Sequence, residues 1–397
     1  SHAGLGGSGY YAPPRGYETY GSVYEPTTLG SGGENGNGYT GGAGGGAIHL
    51  VAQRLVVSGT VSANGQSVGD RAGAGAGGSV WVEAEVVEGP GEIRANGGGT
   101  GSGGAGGGGR IAIYYQTLGL SGEDAVQAYG GAASSNARVG GAGLVYLEDR
   151  TPGSEHSKLV VDNGGKGTVG RNARLPSDGE ATVWEFDEVE LRGRGHLEVL
   201  DPADTIVIRG EMVRGDNTAQ LYSHGVISAA TLSEVTGFGY YVYGDGRLEL
   251  SSTVTVSGVV VTNYGTLSGV ENVSLEAGEN VTPATTAVLN LYGVGRTAGE
   301  VAGTYAFGGD VWVSTGQKLV AYGDASDTVP GGSGVTIEAQ SIVVEEGAVI
   351  TANGRGYPRG TNSSCCGRTG GGGSHAGLGG SGYYAPPRGY ATYGSVY

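Results

Sequence analysis

Short apolar runs alternate with glycine-rich stretches along most of the chain. AIHLVA begins at Ala47, LVVSGTVSA at Leu55, SVWVEA at Ser79 and RIAIYY at Arg110; TVTVSGVVVT follows from Thr253 and VTIEAQSIVV from Val335. Val, Ile, Thr and Tyr dominate these runs, residue types that suit a pleated, half-buried surface. Within them Ile48 and Leu50, Val80 and Val82, and Ile111 and Ile113 alternate with polar or small residues, which places one set inward and the other outward on a strand. Each run is bounded by Gly, Asn, Asp or Ser, the strand-and-turn pattern. No segment carries a sustained helical period. The pattern predicts an ordered all-β protein.

Aligning the runs exposes a repeat. AIHLVAQRLVVSGTVSANG ends at Gly65, SVWVEAEVVEGPGEIRANG at Gly97 and VTIEAQSIVVEEGAVITANG at Gly354, with RIAIYYQTLGLSGEDAVQAYG, ending at Gly130, a looser relative. The steps from Asn64 to Asn96 and from Asn96 to Tyr129 are 32 and 33 residues, a period that points to stacked coils rather than a sandwich. The expected fold is a glycine-rich parallel β-solenoid in which like residues stack about 4.8 Å apart. Asn64, Asn96 and Asn353 then form a structural ladder. Each is expected at a left-handed coil corner, with its amide bonded to the next. The excursions GDRAGAGAGG from Gly69 and GGGTGSGGAGGGG from Gly97 fit either polyglycine-like strands or loops.

A longer repeat encloses the short ones. Residues 1–24 and 374–397 differ only at Glu18 against Ala391. Adjacent, slightly diverged copies explain this, so the chain reads as one repeat of 373 residues plus the opening of the next. The alternative is a complete subunit with similar tails. The expected divisions are a Gly/Tyr/Pro-rich start at 1–46, glycine-rich coils at 47–149, and a less regular solenoid or inserted β subdomain at 150–330. A returning coil with a Cys-Cys segment follows at 331–373, and the next repeat opens at 374–397.

Composition narrows the function. Glycine supplies 87 of 397 residues, but not at every third position, which excludes collagen. No apolar run approaches the roughly 20 residues that a membrane-spanning helix needs. The net charge is −16 and only Lys158, Lys166 and Lys318 are lysines, a poor basis for binding nucleic acid. An acidic chain invites Ca2+. Yet Tyr243-Gly244-Asp245-Gly246 is a single loop rather than a regular acidic series, so a diffuse counter-ion cloud, with no cofactor, is the default expectation.

Candidate chemistry is sparse. Gly65-Gln66-Ser67-Val68-Gly69 fits a nucleophile elbow and Gly36-Asn37-Gly38-Tyr39-Thr40-Gly41 a dinucleotide fingerprint, both without the helix that gives them meaning. Asp201 with Asp204, or Glu185 with Asp187, offers paired carboxylates of the kind glycosidic cleavage uses; the alternative is a solvated acidic edge. The six histidines lack paired zinc spacing. Adjacent Cys365 and Cys366, the only cysteines, are candidates for a vicinal disulfide, free thiols or a cross-link to another coil or chain, and an oxidising setting favours a disulfide. Tyrosine outnumbers phenylalanine 24 to 3. Tyr10, Tyr11, Tyr240, Tyr241, Tyr383 and Tyr384 are candidates for a surface- or sugar-binding platform, against the simpler reading of rings packed over glycine backbone.

GGGGSHAGLGGSG, YGSVYEPTTLGSGG, GGAGGGAIHLVA, GGSVWVEA and GGGGRIAIYY together resemble the glycine-rich β-helix modules of very large surface and secreted proteins of environmental bacteria. The resemblance covers roughly 335–397 and 1–116. It implies an extracellular, adhesin-like or filament-forming role and carries over no catalytic residues. The expected function is therefore a structural repeat of an extracellular fibre, non-catalytic. Its partners would be neighbouring copies in the same or adjacent chains, and a cell-surface or extracellular polysaccharide. A carbohydrate-binding adhesin module and a polysaccharide lyase or hydrolase are the alternatives.

Overall fold

The computed structural model describes residues 2–7, 19–36, 38–69, 71–122, 124–134, 138–167, 171–176, 180–209, 213–229, 236–250, 253–258, 260–277, 286–324, 334–353 and 355. They form an all-β chain with no α-helix among the described residues. A 15-stranded sheet runs from Ala47–Val56 at one edge to Val349–Thr351 at the other, beside sheets of six, four, three and two strands. Between His156 and Tyr322 some strands, His156–Asp162, Val213–Ser223 and Lys318–Tyr322 among them, extend the large sheet, while all six strands of the six-stranded sheet and three of the four-stranded one also fall in this range.

Neighbouring strands are parallel and in phase with the apolar alternation. Ile48 lies beside Val80, Val80 beside Ile111 and Ile111 beside Val145; Leu50, Val82, Ile113 and Leu147 form the next column. Val61, Ile93 and Val126 continue this core on the three-stranded sheet. The six-stranded sheet repeats the device, with Trp184, Ile206, Ile227, Leu248, Leu267 and Thr297 in one buried register column. On the four-stranded sheet Val254, Val273, Val311 and Ile342 stack likewise. Burial of each such aliphatic side chain stabilises by about 1.5–3 kcal/mol.

One junction breaks the parallel order. Leu144–Asp149 and His156–Asp162 pair antiparallel, with Val145 opposite Val160. Between them the Thr151-Pro152-Gly153-Ser154 turn closes through Ser154 N–H donating to the Thr151 carbonyl, and Gly153 supplies a φ of +79°. Asp149 Oδ1 accepts the Thr151 N–H at 2.8 Å. The core changes face at the same place. Val80, Val82, Ile111, Ile113, Val145 and Val160 belong to one apolar cluster, whereas Ala112, Tyr114, Leu144, Tyr146, Leu159 and Val161 belong to the other. Strand direction and core side invert together while the sheet continues in the same order. Reversing both leaves the hand of the crossover connections unchanged, and that hand is tightly constrained for parallel pairs.

Candidate functional site

The glycine-rich excursions are hydrogen-bonded, extended segments packed side by side. Along residues 73–78 successive N–H groups turn to three different neighbours. Gly73 and Ala76 donate to the carbonyls of Glu34 and Ser31, Ala74 and Gly77 to those of Gly104 and Gly107, and Gly75 and Gly78 to those of Gln66 and Ala63. A repeat of three is that of the left-handed extended helix with three residues per turn, which makes no internal hydrogen bonds and directs all of them outward. The carbonyls accept from further segments: Gly73 and Ala76 from Gly42 and Gly45, and Gly75 from Gly98. The pattern recurs one layer on, where Ala105 and Gly108 donate to Arg138 and Gly141, and Gly106 and Gly109 to Gly98 and Ala95. The resulting lattice forms the flank of the first stack.

The asparagine ladder exists in altered form. Asn64 Oδ1 accepts the backbone N–H of Asn96 at 2.7 Å, and Asn96 Oδ1 accepts that of Tyr129 at 2.7 Å. Amide thus bonds to backbone, not to amide, because the side chain of one layer lies under the N–H of the next. Asn96 Nδ2 donates to Gln127 at 3.1 Å instead. Asn353 lies at the far edge of the large sheet, exposed, outside this column. None of the three adopts a left-handed φ; the described non-glycine residues that do are Arg71 and Arg194. A rung missed in the sequence is Asn163, whose Oδ1 accepts the Gly130 N–H at 2.8 Å. Its Asp-Asn-Gly setting, rather than Ala-Asn-Gly, concealed it.

An aromatic column runs along the second stack. Ser223, Val242, Asn263, Leu291 and Ala321 share one register row, and each is followed by an aromatic residue: His224, Tyr243, Tyr264, Tyr292 and Tyr322. His224 stacks on Tyr243 at 3.8 Å, Tyr264 on Tyr292 at 3.7 Å and Tyr292 on Tyr322 at 4.2 Å. Tyr241 joins from the side, 5.3 Å from Tyr264, and the Arg355 guanidinium sits 4.3 Å over Tyr322. Burial, followed by the hydrogen bond to Tyr264, pushes the Tyr241 phenol up to about 12. Tyr240, expected in a surface platform, is instead core, 1% exposed. It follows the alternation to the inward face while Tyr241 turns outward. Tyr10, Tyr11, Tyr383 and Tyr384 lie outside the described residues, as do Cys365 and Cys366.

A buried polar node ties the amino-terminal segment to the lattice. His2 contacts the Gly77 carbonyl through Nδ1 at 3.1 Å and the Thr28 hydroxyl through Nε2 at 2.7 Å. Fully buried Arg110 donates to the Tyr20 carbonyl. Burial and the neighbouring Arg110 charge hold His2 down at about 3, and burial lowers Arg110 to about 9. His2 is therefore neutral, with Nδ1–H donating and Nε2 accepting. Neither residue carries a motif that would mark it in the sequence.

The acidic candidates are absorbed in turns and ladders. Asp204 is 1% exposed and its Oδ1 accepts the Thr182 N–H, while Asp201 Oδ1 accepts the Ala203 N–H. Glu185 pairs with Arg209. Burial pushes the Asp187 carboxyl up, but the Ser157 N–H and hydroxyl bonds outweigh it and hold it below the ordinary carboxylate range. Ser67 is part of the lattice edge, its Oγ accepting the Gly99 N–H at 2.9 Å. Asp245 pairs with His224 at 2.9 Å, and no group of three or more His, Cys, Asp or Glu able to hold a metal ion occurs among the described residues. No protein-family model, curated protein or solved structure matches this chain.

Proposed function

We propose that the chain is one structural, non-catalytic repeat of an extracellular fibrous surface protein of bacterial type, wound as a parallel β-solenoid and stacked in tandem. The observation that carries this reading is the in-phase register from Ala47 to Thr351, parallel on both sides of one antiparallel junction, with its glycine lattice on the flank. Backbone donors and acceptors in such a stack are met by the layers above and below, so the unit resists extension along its axis. Neighbouring copies in the same or adjacent chains are the principal partners, and the acidic surface carries a diffuse counter-cation cloud.

Twelve strands lie along the path of the large sheet; at about 4.8 Å each, one repeat adds about 50–60 Å of length. Electron microscopy of the native polypeptide tests this. Rods that lengthen by that increment per repeat are expected, and compact particles would refute the reading. A carbohydrate-binding adhesin module is the second reading, favoured by the aromatic column. Its rings lie on one another, so a glycan would meet edges and hydroxyls rather than ring faces. A lack of saturable glycan binding would count against it, and binding that survives Tyr264→Ala would count against the column as its site.

A further inference from the structure

The two open ends of the stack match one another strand by strand, the turn before the last strand being two residues longer at the far end. Among the described residues, Ala47–Val56 and Thr60–Ser62 at one end are edge strands, paired on one side only. At the other, Thr336–Glu338, Ser341–Val344 and Val349–Thr351 are likewise edges. An exposed strand edge invites pairing with another strand, and here the apolar faces are open as well: Ile342 and Val344 are each 44% exposed and Ile350 38%.

The last coil and the first coil are also copies in sequence. Val335-Thr336-Ile337-Glu338-Ala339-Gln340-Ser341-Ile342-Val343-Val344 aligns with Ile48-His49-Leu50-Val51-Ala52-Gln53-Arg54-Leu55-Val56-Val57, and Val349-Ile350-Thr351 with Thr60-Val61-Ser62. The facing of each residue follows from its register partner. Ile337 lies beside buried Tyr305, Ile342 beside Val311, Val344 beside Val313 and Ile350 beside Leu319, so all four point inward. Leu50 lies beside buried Val82, Leu55 beside Val87 and Val61 beside Ile93, and Val57 is itself buried, so these point inward too. The alignment therefore sets inward on inward at every position, with no slip of one residue that would turn a strand over.

Resting on the fibre reading above, we infer that the last coil of one repeat is the docking surface for the first coil of the next, in this register. Ile337 meets Leu50 of the following copy, Ile342 meets Leu55, Val344 meets Val57 and Ile350 meets Val61. The walls change partners across the junction. Thr60–Ser62 of the next copy, not Ala47–Val56, extends the large sheet beyond Val349–Thr351, while Ala47–Val56 continues the walls that hold Thr336–Glu338 and Ser341–Val344. The junction is geometrically permitted because the antiparallel turn preserves the hand of winding, so both ends of a repeat wind alike.

The test uses a two-repeat chain, residues 1–373 followed by a second full copy, with Cys365→Ser and Cys366→Ser in both. Val343→Cys in the first repeat and Val56→Cys in the second place two outward side chains in register, within the Cα separation a disulfide spans. Val344→Cys with the same Val56→Cys is the out-of-phase control. Oxidation is expected to link the first pair and not the second. Hydrogen exchange on the unsubstituted two-repeat chain gives an independent check: the peptide 47–57 occurs twice and should resolve into one protected and one fast population of equal size. A two-repeat chain that is longer in solution scattering than a single repeat, yet links the control pair or shows one uniformly fast 47–57 population, would overturn the junction alone. A chain no longer than a single repeat would overturn the fibre reading itself.

Discussion

Gly75 and Ala43 approach so closely that a methyl group on Gly75 would overlap the Ala43 carbonyl oxygen. The clash is with backbone on a neighbouring segment, so no side-chain rotation relieves it. Gly75→Ala is expected to cost about 1–3 kcal/mol, the range for overpacking a filled interior. Gly46→Ala is the control, since nothing lies within 4 Å of the added atom, and it should change stability by less than about 0.5 kcal/mol. Denaturant titration of the two variants checks the contrast.

Asn96→Ala removes the acceptor for the Tyr129 N–H and the donor to Gln127. With those groups left partly buried, the expected loss is about 1–3 kcal/mol. The exposed Asn353, outside the column, should tolerate the same change within about 0.5 kcal/mol. Equal losses from both would show that the ladder contributes nothing specific.

His2 sets a pH dependence. Its folded value, held at about 3 by burial and by Arg110, lies below the ordinary 6.5. Between those values the unfolded chain binds a proton that the folded chain refuses, so stability falls as the pH drops from about 6.5 toward 3. The slope from this residue approaches about 1.4 kcal/mol per pH unit. Equilibrium unfolding at pH 7 and pH 4 should show the difference, and His2→Gln should reduce it. An unchanged pH dependence in that variant would remove His2 as the cause.

Tyr292 stacks on both Tyr264 and Tyr322. Tyr292→Ala should cost about 1–3 kcal/mol from two lost ring contacts and reduce the near-ultraviolet circular dichroism of the coupled tyrosines. Tyr39→Ala, at an exposed tyrosine with no ring partner among the described residues, should do neither.

Burial alternation was legible in the sequence because it is local. Every second residue of SVWVEA or RIAIYY must face a core, and that fact needs no knowledge of what the core is. The 32- and 33-residue steps through Asn64, Asn96 and Tyr129 likewise survive folding, since each of these residues bonds to the next in the series. The Tyr240–Tyr241 doublet misled for the opposite reason: adjacent strand residues point to opposite faces, so one ring of the pair had to be core.

The all-β character, the alternating residues and the spacing of the Asn64–Asn96–Tyr129 column were all written in the local pattern. That the glycine excursions form a three-directional lattice emerged from the folded chain alone, because glycine has no side chain in which a packing direction could be written. The same holds for the reversal of the large sheet at Thr151-Pro152-Gly153-Ser154, where it offers its other face to a second core. In RIAIYY both faces are apolar enough to be buried, Ile111 and Ile113 on one side and Ala112 and Tyr114 on the other. Alternation alone cannot tell which face meets which core; that is settled by the strands that arrive against it.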